Sequence, residues 1–287
     1  MTARLLAIWT LLPALLASVG VGSLASAQSL KITYLANEGF LIESDGTRVL
    51  VDALFGEGLE HYAAVPAPER AALEGGRSPW QGIDLVLATH HHPDHFDPEP
   101  VSRFLAANPR ARFVSTPQAV DLLERRLPPD DERRARIRGL LPEPGTLERL
   151  DLGDVAVDVL QLHHGAGTEA RNLGFLLHLE GADVLHVGDT EASWDEGFAS
   201  HADLLAEVDV ALLPLWFFTE GRWGEVVRRL PAATLVAMHI AEAGAPPLYF
   251  GSAGSRERRL ELLRERHPGA QPMVRSGQRV DLGADEP

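Results

Sequence analysis

Short apolar runs separated by turn-forming residues are the main pattern of the chain. The first three runs cover residues 30–35, 39–43 and 48–52, and they are joined by Ala36-Asn37-Glu38 and Ser44-Asp45-Gly46. Runs of this length with turn residues between them are typical of neighbouring strands. The pattern therefore predicts an antiparallel sheet at the start of the folded region.

Helix-like segments then begin to alternate with strands. Residues 53–81 are irregular and rich in Pro, Gly and Ala, as in a loop that borders a binding site. Residues 128–145 carry mixed charges, which favours a solvated helix with flanking loops over an anion-binding arm. Thr116 and Pro117 have the residue types of a helix cap and a first helical position. The predicted elements are strands over residues 83–88 and 112–115 and helices over residues 99–107 and from residue 117 onward.

The second half of the chain has the same β-rich and then β-α character, without an evident repeat of the sequence itself. Periodicity predicts strands and helices there as well. The chain is long enough for one sizeable core, so we expect a single domain. The predicted strands cover residues 155–162, 173–179, 183–187, 208–213 and 234–238, and the predicted helices cover residues 224–229 and 256–266.

The first 27 residues have the layout of a secretory signal peptide. Arg4 is followed by an apolar stretch over residues 5–21 and by the small residues Ala25-Ser26-Ala27. The alternative is an uncleaved membrane anchor, since the stretch is almost long enough to cross a bilayer. The Ala-x-Ala ending favours removal. We therefore expect an exported protein, periplasmic or secreted, with residues 28–287 as one catalytic domain and no membrane anchor.

The charge and the cysteine content narrow the possible functions. The chain has 41 acidic and 26 basic residues and a formal net charge of −15. Such a field repels the phosphate backbone of nucleic acids, so we expect a small-molecule substrate and no nucleic-acid partner. There is no cysteine, which excludes disulfides and lipid attachment through a thiol.

Four potential metal ligands lie in six residues directly after the predicted strand 83–88. The segment reads His90-His91-His92-Pro93-Asp94-His95. In extended backbone the first and third histidines project to one side and can bind one ion, while the second points away. The proline ends the strand and favours a turn, which lets the aspartate and the last histidine reach a neighbouring ion.

Imidazole nitrogen and carboxylate oxygen at this density suit zinc first, and iron, manganese or nickel less often. The alternative is a His-rich surface loop that binds metal adventitiously. The carboxylate among the histidines and the location at a strand end favour a dedicated site.

Three more ligand-type residues stand at or just after the ends of predicted strands. His164 follows the strand over residues 155–162, and Asp189 and His239 follow two later strands. Together with His90, His92, Asp94 and His95 they make seven donors, the number that two ions need if one carboxylate is shared.

This donor set resembles that of the metallo-β-lactamase superfamily, and the resemblance extends over nearly all of the chain after the signal segment. The family signature His-x-His-x-Asp-His stands here as His90, His92, Asp94 and His95. The resemblance implies an α/β fold, the four-layer αβ/βα sandwich, with two sheets face to face, helices outside and metals at one edge.

The remaining family ligands map onto the later donors. The resemblance assigns the third histidine to His164, the metal-bridging aspartate of a Gly-Asp pair to Asp189, and the last histidine to His239. His163 is a rival to His164. We prefer His164 because the family places this ligand just before a glycine or a turn, and Gly165 follows it.

The family pattern also implies a mechanism. It predicts two Zn²⁺ ions, one held by the triple-histidine group (His90, His92 and His164) and one by the Asp94 group (Asp94, His95 and His239). Asp189 would bridge them with a hydroxide between. Metal lowers the pKa of water to roughly 7, so the hydroxide is a ready nucleophile, and Asp94 is the catalytic residue expected to orient it. The expected activity is hydrolysis of a small ester, lactone, amide or phosphoester.

Two features point to a branch of the family. True metallo-β-lactamases generally lack a bridging aspartate at the position of Asp189, which argues against antibiotic hydrolysis. The segment Asn172-Leu173-Gly174-Phe175 resembles the branch of the ascorbate-6-phosphate lactonase and the N-acylethanolamine phospholipase D relatives. The alternatives are an iron-dependent redox or sulfur-handling member of the fold and a non-enzymatic metal-binding protein.

Other polar and aromatic residues have less specific interpretations. Asp52 either orients a metal-binding histidine or is an ordinary turn residue. His61 is expected to be exposed, with substrate contact as the alternative. The other histidines are expected to be packed or on the surface: His178, His186, His201 and His267. Four aromatic residues are expected to be mostly core, with substrate contact by one or two of them as the alternative: Trp216, Phe217, Phe218 and Trp223.

Overall fold

The structure is a computed structural model that describes residues 30–152, 155–165 and 167–282. The predicted signal peptide lies outside the described residues. Within these residues no helix has both the length and the apolar character to cross a bilayer.

A sheet of six strands is built from the first half of the chain. Its strands, in spatial order, are β1 (Lys31–Ala36), β2 (Gly39–Ser44), β3 (Thr47–Val51), β4 (Leu85–Leu87), β5 (Arg112–Ser115) and β6 (Ile137–Gly139). The strands β1 to β3 pair antiparallel, as the turn residues predict. From β3 to β6 the pairing is parallel, because helices connect these strands.

The second half of the chain forms a sheet of seven strands. In chain order they are β7 (Leu147–Asp151), β8 (Ala156–Leu162), β9 (Asn172–Leu179), β10 (Ala182–His186), β11 (Val210–Pro214), β12 (Thr234–Met238) and β13 (Gln271–Pro272). The pairing is antiparallel from β7 to β10 and parallel from β10 to β13. Both halves thus have an antiparallel start and a parallel end.

Helices cover the outer faces of the sheets. They are α1 (Ala67–Glu74), α2 (Pro98–Ala107), α3 (Pro117–Glu124), α4 (Ala202–Leu205), α5 (Trp216–Thr219), α6 (Gly224–Arg229) and α7 (Arg256–Arg266). The Thr116 side chain accepts a hydrogen bond from the backbone N–H of Ala119, and Pro117 begins α3, as predicted. The side chain of Asp97 caps α2 in the same way.

Side chains of the central strands point alternately to the two faces of each sheet, and this alternation produces the layers of the fold. On β4, Leu85 and Leu87 pack toward the second sheet, in the same core cluster as Phe175 of β9. Val86 points to the opposite face and packs with Phe104 of α2. One strand therefore contributes to two cores, one between the sheets and one under the helices. The predicted four-layer αβ/βα sandwich in a single domain is confirmed.

Several elements differ from the prediction. Residues 53–81, expected to be irregular, contain α1, in which the alanines favour helix and Leu73 is buried in the core under the helices. Residues 128–145, expected to hold a solvated helix, form a short 3₁₀ turn over Glu132–Arg136 and the edge strand β6. The strand β7 was not predicted, because its residues are mostly polar.

The arginines of residues 128–145 have a structural role. Arg136 donates to the backbone carbonyls of Leu105, Asn108 and Ala111, which lie at and after the end of α2. Helices leave such carbonyls without partners at their C-termini, and a cation there is favourable. The positive charges of this segment therefore hold α2 against the first sheet instead of forming an arm for anions.

Candidate metal centre

All seven predicted donors lie together at one edge of the two sheets. They follow β4, β8, β10 and β12, so each is placed by the carboxyl end of a buried strand. Their ligand atoms form two groups that lie side by side. The structure thus brings together every residue that the sequence analysis singled out as a metal ligand.

The triple-histidine group converges through ring nitrogens. The Nε2 atom of His164 lies 3.2 Å from Nε2 of His90 and 3.1 Å from Nδ1 of His92. Three nitrogens bound tetrahedrally to one zinc at about 2.0–2.1 Å are separated by roughly 3.3 Å. The nitrogens therefore have the spacing that one cation requires.

The backbone around His163 and His164 places the two rings in different surroundings. His163 is exposed, and its Nδ1 accepts a hydrogen bond from the backbone N–H of Gly165. Its carbonyl accepts from Thr190 and Glu191. His163 thus ties β8 to the segment after Asp189, while the neighbouring His164 faces the other imidazoles.

The Asp94 group is more deeply buried. Oδ2 of Asp94 lies 3.6 Å from Nε2 of His95 and 3.7 Å from Nε2 of His239. All three residues are at most 8% exposed. The turn after Pro93 therefore does what the sequence predicts, since it brings Asp94 and His95 to a second position.

Asp189 lies between the two groups. Its Oδ2 is 3.7 Å from Nε2 of His164 and 3.9 Å from Nε2 of His90, while Oδ1 is 3.1 Å from Nε2 of His239. Oδ2 is also 3.5 Å from Nε2 of His95, so the carboxylate contacts donors of both groups. This is the arrangement that a metal-bridging carboxylate needs.

The donor atoms of the site fit a metal because several are buried without a partner. Among the described residues, Nε2 of His95, Nε2 of His239, Oδ1 of Asp94 and Oδ1 of Asp189 make no hydrogen bond. Burying such atoms unpaired is costly, and buried charges in proteins are paired or coordinate metals. The chemistry of the set, imidazole and carboxylate, is that of a transition-metal site.

The histidines of the two groups differ in proton affinity. Burial lowers the pKa of His90 well below its usual range and that of His164 to about 4. Burial would also lower the pKa values of His95 and His239, but the surrounding carboxylates, Asp189 first, raise both well above the usual range. The triple-histidine group is therefore neutral and ready to bind metal at neutral pH, whereas protons compete for the Asp94 group.

Asp52 orients the histidines, as one of its two interpretations predicts. Its Oδ2 lies 2.8 Å from Nδ1 of His95 and accepts from the hydroxyl of Thr89 at 2.7 Å. Its Oδ1 accepts from the backbone N–H of Thr89 at 2.7 Å. The Thr89 hydroxyl is 3.0 Å from Nδ1 of His90. A single buried carboxylate thus fixes the rings of one histidine from each group.

Two asparagines hold the aspartates of the site, one through a carboxylate and one through the backbone. Asn37, in the turn between β1 and β2, donates from Nδ2 to Oδ2 of Asp94 at 2.9 Å. Asn172, at the start of β9, accepts from the backbone N–H of Asp189 and donates to the carbonyl of Val187. The sequence analysis missed Asn37, since it resembles an ordinary turn residue. Asn172 was noted only for its family likeness.

Aromatic side chains border the Asp94 group. The rings of Tyr62 and Trp216 lie 4.3 and 5.1 Å from the ring of His239. Trp216, expected in the core or, as the alternative, against substrate, is partly exposed and donates from Nε1 to the carbonyl of Thr190. His61 lies nearby, packed against Tyr249 at a ring distance of 5.3 Å. The loop over residues 53–81 thus does reach the site.

The other histidines lie outside the donor set. His186 is buried, as expected, and its Nε2 donates to the backbone carbonyl of Glu38. His178 pairs with Asp158 and Asp183. His201 is buried and His267 packs on Phe218. None of these four histidines belongs to the two groups of metal donors.

The comparisons with known proteins agree with this architecture. A family model described as the beta-lactamase superfamily domain matches residues 31–239. The chain therefore belongs to the metallo-β-lactamase superfamily.

Relatives and a solved structure extend over most of the chain. A UPF0173 protein of Pyrococcus furiosus is 28% identical over 241 residues, which cover 83% of this chain and 92% of the relative. A UPF0173 metal-dependent hydrolase of Aeropyrum pernix is 26% identical over 245 residues, covering 80% and 89%. The crystal structure of a metallo-β-lactamase fold protein of Bacillus subtilis matches with a TM-score of 0.60 at 14% identity, covering 87% and 98%. These similarities support the prediction of a metal-dependent hydrolase.

Replacement of Gly188 by Ala is expected to abolish metal binding. Gly188 has φ +59°, and an added Cβ would lie 2.3 Å from Oδ1 of Asn172 and 2.7 Å from Cβ of Thr89. The turn must then shift and carry Asp189 away from the histidines. Metal content after purification and the melting temperature would measure the effect.

Gly277→Ala is the matched control for this substitution. Gly277 has φ +78° with nothing within 4 Å of an added Cβ, so the change should cost about 1 kcal/mol and leave metal binding intact. Parental metal content in Gly188→Ala would contradict the role given to the turn.

Acidification is expected to release metal from the Asp94 group before the triple-histidine group. Because the pKa values of His95 and His239 are raised, protons compete with metal there at a higher pH than at His164, whose pKa is about 4. Metal content after dialysis at a series of pH values between roughly 8 and 4 would measure the order. Release of the metal ions of both groups at the same pH would contradict this order.

Proposed function

We propose that the protein is a dinuclear zinc hydrolase that cleaves a small ester, lactone, amide or phosphoester. The observation that supports this most directly is the position of Asp189 between two groups of donors. Two complete groups and a shared carboxylate are what a pair of cations requires. The imidazole-rich donor set favours zinc over magnesium or calcium.

In this proposal the chain's own residues hold and orient the reacting groups. When bound, the two cations would lower the pKa of water and polarise the oxygen of the bond that is cleaved. The triple-histidine group and the Asp94 group would hold one cation each. Asn37 fixes Oδ2 of Asp94 and leaves Oδ1 without a protein partner in the described chain, so Asp94 can orient the attacking water.

A cavity of about 360 Å³ beside His164 is the proposed substrate site. Its wall includes His163, Arg171 and Arg222. Arg171 has no ion-pair partner among the described residues, and Arg222 pairs only loosely with Glu196 at 3.5 Å. The volume suits a small molecule, and the two guanidinium groups favour a substrate with an acidic or phosphoryl substituent.

Activity assays on metal-loaded protein test the proposal. Chromogenic esters, lactones, amides and phosphodiesters would be assayed with and without a chelator, together with metal analysis. Chelator-sensitive hydrolysis by protein that contains two zinc ions is the expected result. Iron with no hydrolysis would favour the redox or sulfur-handling alternative, and bound metal without any turnover would favour a metal-binding protein.

Replacement of Asp94 by Ala is expected to lower turnover by roughly a hundredfold or more, because it removes both a metal donor and the group that orients water. The fold should largely remain, since the substitution removes no apolar side chain and breaks the hydrogen bond of Asp94 with Asn37 only at the edge of the sheets. Turnover and circular dichroism measure the two effects. The control is Asp203→Ala, which removes an exposed carboxylate on α4. Near-parental turnover in Asp94→Ala would refute the role.

We propose in addition that residues 1–27 direct export and are removed. The layout of Arg4, the apolar stretch and Ala25-Ser26-Ala27 supports this. Expression of the full chain in a Gram-negative host should yield a periplasmic protein whose N-terminus, determined by mass spectrometry, is Gln28. An intact N-terminus in the membrane fraction would favour the anchor instead.

A further inference from the structure

Glu38 is a buried carboxylate to which neither the donor set nor the proposed mechanism gives a role. It lies in the turn between β1 and β2 and is 0% exposed. Both of its side-chain oxygens lack a hydrogen-bond partner among the described residues. The sequence analysis treated it as part of the connection between two strands. Burial raises the pKa of Glu38 well above its usual range, so the group is stabilised there either by a proton or by a nearby cation.

The side chain of Glu38 is directed at the metal donors. One of its oxygens lies within 4.8 Å of donor atoms of both Asp189 and His239. On its other side lie Asp52 and His186, with donor atoms inside the same limit, and Oε2 is 3.8 Å from Nδ1 of His95. Glu38 thus lies directly beneath the Asp94 group.

Among the described residues, the groups that could compensate Glu38 are His95 and His239, which are donors of the site itself and lose their protons when they bind metal. His186 is neutral, because its Nε2 donates to the carbonyl of Glu38 and its Nδ1 accepts from the N–H of Gly188. Nδ1 of His95 is already held by Asp52 at 2.8 Å. The ion pairs of the described residues include no lysine or arginine with Glu38.

We propose that Glu38 is an eighth metal donor, a third carboxylate that binds the cation held by the Asp94 group. This inference rests on the proposed dinuclear site. Asp94, Asp189 and Glu38 would neutralise three of the four charges of two divalent ions and leave one for an anionic nucleophile or substrate. The neighbouring carboxylates increase the free-energy cost of burying the charge of Glu38. The bound metal ions would offset that cost.

The added carboxylate changes the metal preference of this position. Zinc sites with four nitrogen or oxygen donors are tetrahedral, whereas oxygen-rich sets with more donors suit manganese or iron(II). The Asp94 group with Asp189 and Glu38 has three carboxylates and two imidazoles. We expect this position to offer its ion five protein donors, whereas the triple-histidine group together with Asp189 offers four.

The test is metal titration of the full chain after metal has been removed with a chelator. Glu38→Gln keeps the shape of the side chain and removes its charge. It should weaken binding of one of two Zn²⁺ or Mn²⁺ ions at least about tenfold, with the larger effect for Mn²⁺, and leave the other unchanged. Glu60→Gln, which removes a carboxylate with a side chain 87% exposed on the neighbouring loop, should bind both ions as the parental protein does.

Melting temperatures separate a metal donor from a structural residue. Without metal, Glu38→Gln should be at least as stable as the parental protein, because an unpaired buried carboxylate is removed. With metal, its gain in melting temperature should be smaller than the parental gain. A purely structural role would instead lower the melting temperature in both states by the same amount.

A measurement on the parental protein covers the case in which the variant does not fold. Cobalt(II) in place of both metals should give a more intense visible spectrum from the position with four protein donors and a weaker one from the position with five. Two spectra of equal intensity, or unchanged binding in Glu38→Gln, would overturn the inference and leave the proposed hydrolase standing. If Glu38→Gln weakens metal binding as expected but the parental protein hydrolyses none of the substrates, the proposed hydrolase function is overturned and the inference about Glu38 stands.

Discussion

The carboxylate of Asp189 is the contact through which two sheets form one site. The first sheet supplies the donors of the His90–His95 segment, and the second supplies His164, Asp189 and His239. Neither sheet has a complete ligand set for two ions. Oδ2 of Asp189 reaches His95 of the first sheet at 3.5 Å, and Oδ1 reaches His239 of the second at 3.1 Å. The distances of the site are therefore set by the apolar core between the sheets.

This geometry is maintained against unfavourable backbone conformations. Asn37, Asp52 and His239 have φ values of +48°, +45° and +53°. A left-handed conformation costs a residue other than glycine roughly 1–2 kcal/mol. At all three positions a strand ends and the chain turns so that a polar side chain points into the site. The surrounding hydrogen bonds, such as those between Asp52 and Thr89, hold these conformations. Strain of this kind is typical of functional sites.

The candidate ligands could be found in the sequence because each follows an apolar strand directly. His90, Asp189 and His239 are one to three residues from the last strand residue, so a correct strand prediction also places the ligand. The parallel strands also bring these ends to one edge. The same approach failed for Asn37 and Glu38. They lie in a two-residue connection of a hairpin, where polar residues are ordinary, and nothing local indicates that the connection is buried.

What the sequence by itself determined is the chemistry of the donors and the strands that carry them, because hydrophobic period and ligand type are local properties. The four layers were predicted from the likeness to the family, because alternation along strands and helices specifies only which faces are buried. The spacing of residues does not specify the direction of a side chain. That the ring of His164, and not that of His163, faces the other imidazoles is therefore seen only in the tertiary structure. The tertiary structure alone decided that Glu38 lies beneath the Asp94 group, because burial at that point arises from the packing of β10 and β12 against the first hairpin. Distances between residues far apart in the chain depend on how the sheets pack.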